Sequence, residues 1–209
     1  MIGGDTTRGL LSITITIHGF VPEGKALLRS GASVGDVVFV TGSLGDAAAG
    51  LRVLRSMPSQ SDDSADQQRT QLIARLNRPT AQIAAGQILR GMASACIDVS
   101  DGLLADLGHV ATRSAVGIEI EIDRLPASSA LYDQFRGDQR VALQLGGGDD
   151  YELAFTVPPA QVDAVMRDLS KLGCGVTRIG RVIEGSGVRA FDADGEEFAM
   201  QNGGWDSFQ

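Results

Sequence analysis

Hydrophobic and polar positions along this chain fall into two rhythms. Leu11, Ile13, Ile15 and Ile17 alternate with Ser12, Thr14, Thr16 and His18, which predicts a half-buried strand. Gly117 to Ile122 alternates as well, with Glu119 and Glu121 on one face. Val37-Val38-Phe39-Val40 is a continuous apolar run and predicts a strand buried on both sides, as does the shorter Ala95 to Ile97. Further strands are expected at Tyr151 to Val157, Val176 to Ile183 and Val188 to Phe198, the last with a turn at Asp194-Gly195. Helical spacing is clearest in Leu103, Leu104, Leu107, Val110 and Ala111, predicting a helix to about Ala115. It returns in Val162, Val165, Met166, Leu169 and Leu172, and more briefly around Leu72 to Leu76 and Ile83 to Ile88. An Ala-rich helix is expected from about Asp46 to Arg55, a short one at Ser128 to Phe135, and a turn with a short helical segment at Pro22 to Leu28. Met57 to Thr70 is polar and without periodicity, and reads as a surface loop. Strands alternate with helices while hairpin signals also occur, so a mixed β-sheet packed with helices, in the α+β class, fits best.

Composition narrows the function classes. The chain has 209 residues and a formal net charge of −8, with 18 Lys and Arg and no basic cluster. Nucleic acid and anionic membrane surfaces are therefore poor partners, and a phosphorylated ligand would need metal ions or a few placed arginines. Cys96 and Cys174 are isolated, which fits a reduced, cytoplasmic compartment. No apolar stretch is long enough for a transmembrane helix.

Three junctions carry candidate chemistry. Between the Ala95–Ile97 strand and the following helix, Asp98 and Asp101 straddle a polar turn, with Ser100 or Asp101 as N-cap. Two carboxylates so placed can converge on one hard cation, with backbone N–H groups beside them for a phosphate; equally, they can be two solvated acids at a capped helix. Thr41-Gly42-Ser43-Leu44-Gly45 joins a strand to a helix in the outline of a phosphate-cradling turn, or as a tight turn chosen for packing. Gly146-Gly147-Gly148 before Asp149-Asp150 permits very close backbone approach. His18 and His109 read as structural.

Taken together, the stretches GGDTT (Gly3 to Thr7), SITITIHG (Ser12 to Gly19), VTGSLGDAAAGL (Val40 to Leu51), IDVSDGL (Ile97 to Leu103), GGDDYELAFT (Gly147 to Thr156) and GGWDSF (Gly204 to Phe208) resemble the thiamine-monophosphate kinase family. That family belongs to the superfamily of aminoimidazole ribotide and selenophosphate synthetases. The resemblance implies the C-terminal domain of that architecture for residues 21–209. Residues 1–20 would then be the last strand and metal-site turn of an N-terminal ATP-binding domain absent from this chain. It further implies transfer of the γ-phosphoryl group of ATP onto thiamine monophosphate, with Mg²⁺ held by Asp5, Asp98 and Asp101. ATP would meet Gly4, Asp5 and Ser100; Arg29 is placed on ATP phosphate, or else is a solvated arginine at a helix end. Substrate would meet Asp149 and Trp205, the latter stacking on a thiamine ring or else sealing the sheet edge. Asp149 stands where the family more often has Glu. No residue is expected to act as a general acid or base, and a homodimer would form through the N-terminal domain. This chain by itself would be inactive or weakly active. Another ATP-dependent synthetase of the superfamily, or a non-catalytic substrate-binding domain, are the alternative readings.

Overall fold

The computed structural model describes residues 14–56 and 63–199. Its frame is one six-stranded sheet of β1 (Val37–Thr41), β2 (Ala95–Asp98), β3 (Gly117–Glu121), β4 (Leu153–Val157), β5 (Val176–Ile183) and β6 (Gly187–Phe191), in the order β2-β4-β1-β5-β3-β6. All neighbours are antiparallel except β3 and β6, which run parallel. The α+β expectation holds.

The two halves of the sheet explain the two hydrophobic rhythms. At the β2-β4-β1 end both faces are covered. Val38, Val40, Ile97 and Ala154 pack beneath helix α4 (Leu103–Ser114), whose predicted stripe is buried at Leu103, Leu107, Val110 and Ala111 and partly buried at Leu104. Val37, Phe39, Cys96 and Phe155 pack on the opposite side against α3 (Ile83–Leu89) and α7 (Val162–Ser170), with Phe39 and Phe155 stacked at 5.6 Å. A strand between two helical layers must be apolar at every position, which is the β1 pattern. On β3 only Ile118 and Ile120 enter the core; Glu119 faces out and pairs with Arg181 at 2.7 Å. The β5–β6 connection arches over the start of β3, where a side chain on Gly117 would lie 3.0 Å from Ile183. The expected turn near Asp194-Gly195 is present, closing with the Gly195 amide on the Asp192 carbonyl at 3.1 Å and a single bridge between Phe191 and Glu197.

A third layer comprises α1 (Asp46–Ser56), α2 (Asp63–Asn77), α5 (Ser129–Gln134) and α6 (Asp138–Gly146). Ala49, Val53, Leu72, Ala130 and Leu131 form a core shared by α1, α2 and α5. Helices α1 and α2 approach closely because Gly50 has no side chain: a Cβ there would sit 2.4 Å from the Leu72 carbonyl oxygen.

Three local expectations need correction. Residues 63–70 are the start of α2, not a loop. Ala, Gln and Arg are good helix formers, and the helix docks through polar as well as apolar contacts, Gln68 donating to Asp133 at 2.6 Å. Residues 14–18 are exposed and unpaired with any described strand, with Ile15 80% and Ile17 87% exposed. Alternation gives a segment the capacity to be a strand, but the strand itself requires a hydrogen-bonding partner. The segment from Pro22 to Leu28 holds only a turn, the Lys25 amide on the Pro22 carbonyl, and then runs extended, so that the Cys96 amide donates to the Leu28 carbonyl at 2.8 Å. No helix of the described residues is long and apolar enough to cross a membrane.

Candidate functional site

The loop between β2 and α4 carries Asp98, Ser100 and Asp101, and it is built against the loop between α6 and β4. Three backbone bonds zip them together: Val99 N to Glu152 O at 2.8 Å, Tyr151 N to Val99 O at 2.8 Å and Asp149 N to Ser100 O at 2.9 Å. Glycine is required on both sides of the seam. A Cβ on Gly148 would lie 2.3 Å from the Ser100 carbonyl oxygen, and one on Gly102, whose φ is +117°, would lie 2.9 Å from the Gly146 backbone. The close approach expected of the glycine run is therefore real, and its partner is the acidic loop.

Residues 149–152 alternate between outward and inward. Asp149 and Tyr151 are exposed and both left-handed, at φ +65° and +53°. A tyrosine held there costs about 1 to 2 kcal/mol, which the surrounding structure must offset. Asp150 and Glu152 point in and are buried. Glu152 accepts from the Thr41 hydroxyl at 2.6 Å, Arg75 at 2.9 Å and Gln82 at 2.8 Å. Asp150 accepts from the Gly45 and Ala47 amides at 2.6 and 3.2 Å. Burial dominates its environment and pushes its carboxyl up to about 7, against the two amide bonds.

Those bonds decide the role of the Gly42–Gly45 turn. The amides that a phosphate would use at the start of α1 are already taken by Asp150, so this loop is a packing turn. The β2–α4 loop behaves similarly at its backbone and differently at its side chains. Its Ser100 and Asp101 amides both donate to Asp106 Oδ2, at 2.9 and 3.0 Å, so they are not offered to a phosphate as expected. Nor does Ser100 or Asp101 cap the helix; the N-cap is Gly102, without a side-chain bond, because its backbone must pass close to Gly146. The carboxylates of Asp98 and Asp101, by contrast, take part in none of the side-chain hydrogen bonds or ion pairs among the described residues. Their charges, with that of Asp149, converge on Tyr151: its phenol is pushed up by burial first and then by Asp149, Asp98 and Asp101.

A groove of about 480 Å³ opens beside this loop. Asp98, Tyr151, Gln82 and Arg29 are among its polar lining, over Leu27, Ile83, Cys96 and Leu153. Arg29 reaches it because its segment is pinned at Leu28 by the Cys96 amide and at Gly31 by the Ser114 hydroxyl at 3.1 Å. Thus Arg29 and Asp98 share one groove, and Ser100, Asp101 and Asp149 stand on the adjoining zipped loops. Gly4, Asp5 and Trp205 lie outside the described residues. Among the described residues no three His, Cys, Asp or Glu side chains form a group that could hold a metal. His18 and His109 are exposed and do not line the groove. Sequence reasoning missed Asp106, Gln82 and Arg75, and could not assign Asp150 and Glu152. For Asp106 a signal existed, an acid one helical turn beyond the loop it caps.

Residues 33–193 match the family model described as AIR synthase related protein, C-terminal domain. The chain belongs to this family. It is 44% identical, over all of its length, to a thiamine-monophosphate kinase of Salmonella typhimurium, of which it spans 63%. The domain is also similar to the crystal structure of thiamine-monophosphate kinase from Stenotrophomonas maltophilia K279a, at 42% identity and a TM-score of 0.77, covering 85% of this chain and 56% of that one. AaThiL complexed with AMPPCP and TMP matches at 38% identity and a TM-score of 0.71, covering 87% of this chain and 54% of that one. The chain thus spans less than two thirds of the relatives it matches.

Proposed function

We propose that this chain forms the C-terminal part of a thiamine-monophosphate kinase, which transfers the γ-phosphoryl group of ATP to the phosphate of thiamine monophosphate. The observation that carries the reading is a pair of carboxylates, Asp98 and Asp101, without a side-chain partner among the described residues, on a braced loop beside a groove shared with Arg29. The 44% identity to a thiamine-monophosphate kinase supports this chemistry, and so do AMPPCP and TMP, the ligand pair named for AaThiL.

A phosphate monoester is largely dianionic at neutral pH, its second pKa being roughly 6, so the acceptor needs no base to remove an alcohol proton. The work is alignment of donor and acceptor and neutralisation of crowded negative charge. Arg29 supplies a permanent cation at the groove for ATP phosphate. Ser100 stands beside it for the nucleotide, and Asp149, on the adjoining loop, faces the thiamine moiety with Trp205. Asp98 and Asp101 fit Mg²⁺ as hard, anionic oxygen donors with no side-chain partner among the described residues, and Asp5, together with Gly4 at the ATP, completes the set. When bound, Mg²⁺ supplies charge neutralisation to the phosphates. The exposure of Ile15, Ile17 and Phe20 supports assigning residues 1–20 to a neighbouring domain, with 21–209 as the C-terminal domain. A homodimer through that neighbouring domain and a cytoplasmic location complete the proposal.

The test joins this chain to the part of the Salmonella relative that it does not match. The chimera should form thiamine diphosphate from thiamine monophosphate, ATP and Mg²⁺, and the Asp98→Asn chimera should not. Release of ADP only with selenide or with formylglycinamidine ribonucleotide would assign the chain to another synthetase of the superfamily. Full turnover by the 209-residue chain alone would contradict its reading as part of a site. Thiamine monophosphate binding without turnover in the chimera would leave a binding domain.

A further inference from the structure

Asp106 lies on the first turns of α4, does not line the groove, and is almost wholly buried, at 2% exposure. Its Oδ2 accepts the amides of both Ser100 and Asp101, the residues between Asp98 and the helix. The opposite side of the same loop is braced by backbone alone: Asp149 N on Ser100 O, and the bare Cα atoms of Gly148 and Gly102 against their neighbours. The loop is therefore held between a carboxylate on one side and a glycine seam on the other, and among the described residues its own two acids have no side-chain partner. A helix this well packed does not need a buried acid at that position for its own sake, since an Ala there would complete the turn with better helix propensity. The acid's place is explained by the amides it takes.

We propose that Asp106 is a positioning residue that fixes the Ser100–Asp101 backbone and thereby sets the affinity of Asp98 and Asp101 for a hard divalent cation. This rests on the metal reading of those two acids. Groups that orient the residues around a metal typically change its affinity 10- to 100-fold when removed. Position, and not charge, is the operative property: one oxygen atom in one place receives both amides.

Two variants separate these. Asp106→Asn keeps a carbonyl oxygen at the same reach and removes the charge. Asp106→Glu keeps the charge and moves the oxygen by one methylene. Titration of the 209-residue chain with Mn²⁺, followed by electron paramagnetic resonance, should place Asp106→Asn within about threefold of the parent and Asp106→Glu about tenfold weaker. Amide hydrogen exchange should show Ser100 and Asp101 protected in the parent and in Asp106→Asn, and exposed in Asp106→Glu. The reverse order of Mn²⁺ affinities, or unprotected Ser100 and Asp101 amides in the parent, would overturn the proposal. Mn²⁺ binding that Asp98→Asn leaves unchanged would overturn the metal reading itself, and the affinity role of Asp106 with it. That outcome differs from the others because the amide protection would persist.

Discussion

Two strand–loop–helix units in this domain start from the same plan and end with opposite uses. In the β1–α1 unit, the Gly45 and Ala47 amides at the helix start receive a carboxylate from Asp150, more than a hundred residues away. In the β2–α4 unit, the Ser100 and Asp101 amides receive one from Asp106, within the same helix. Both loops thus have their anion-binding backbone filled by the protein itself. The difference lies in their acids. Asp46 is buried and accepts from the Ser43 and Ser128 hydroxyls, both at 2.7 Å. Asp101 is exposed and Asp98 half-buried, and among the described residues neither has such donors. A carboxylate with two hydroxyl donors is structural, while one left bare beside a groove is available to a ligand. The motif outline alone therefore says little; the partners of each oxygen say which loop does chemistry.

The largest expected effect separates the two acids directly. Asp98→Asn should leave thermal stability within about 0.5 kcal/mol and reduce turnover of the chimeric kinase on the order of 100-fold or more. Asp46→Ala should destabilise the domain by about 2 kcal/mol, because two half-buried hydroxyls lose their acceptor. Denaturant melts and a thiamine diphosphate assay on both variants read this out. Stability loss from Asp98→Asn, or a purely kinetic effect from Asp46→Ala, would break the contrast.

Next in size are the glycines. Gly148→Ala would place a methyl 2.3 Å from the Ser100 carbonyl oxygen, which is backbone and cannot swing away. Gly42→Ala meets the Glu152 carboxylate at the same distance, at a φ of +58°, and that side chain is fixed by Thr41, Arg75 and Gln82. Each should cost about 1 to 3 kcal/mol, as overpacking does. Only Gly148→Ala should also weaken Mn²⁺ binding, since only it displaces the Asp98–Asp101 loop.

Much of the frame was legible in the sequence because it depends on local pattern. The stripe on α4 and the unbroken apolar run of β1 report burial directly, and both hold. What eluded the sequence depends on partners. Leu11 to His18 has the alternation of a strand, yet its described part pairs with no described strand. The start of α2 lacks an apolar stripe, so its docking through Gln68 was invisible. In the site, the loop with Asp98 and Asp101 could be found by motif, as could its glycine neighbour. The occupation of both sets of amides could not, since Asp150 reaches Gly45 across 105 residues.

A titration sharpens the comparison further. The Asp150 carboxyl is pushed up to about 7 by burial, well above its ordinary value of 3.8. Between those values the folded protein holds a proton that the unfolded chain has released, so stability is fully present below about pH 4 and falls as pH rises through 7. Asp150→Asn, whose one carbonyl oxygen can accept the Gly45 amide while its NH2 replaces the oxygen that receives Ala47, has no titrating carboxyl and should lack this slope. The melting temperature of the parent should fall relative to that of Asp150→Asn between pH 5.5 and 8. A constant difference across that range would show that Asp150 does not titrate there.

The smallest effect concerns the hydroxyls that close the β1–α1 loop. Ser128 has two duties: its oxygen accepts the Leu131 amide at 3.1 Å as the N-cap of α5, and its proton goes to Asp46. Ser43 has only the second. Removing an N-cap costs about 1 kcal/mol, and losing one hydroxyl bond about as much again. Ser128→Ala should therefore destabilise by about 2 kcal/mol and Ser43→Ala by about 1, with Mn²⁺ binding unchanged in both. Equal costs would mean that α5 does not depend on its cap. A change in Mn²⁺ affinity from either would mean that the closed loop communicates with the open one, and that the two units are less independent than their hydrogen bonds indicate.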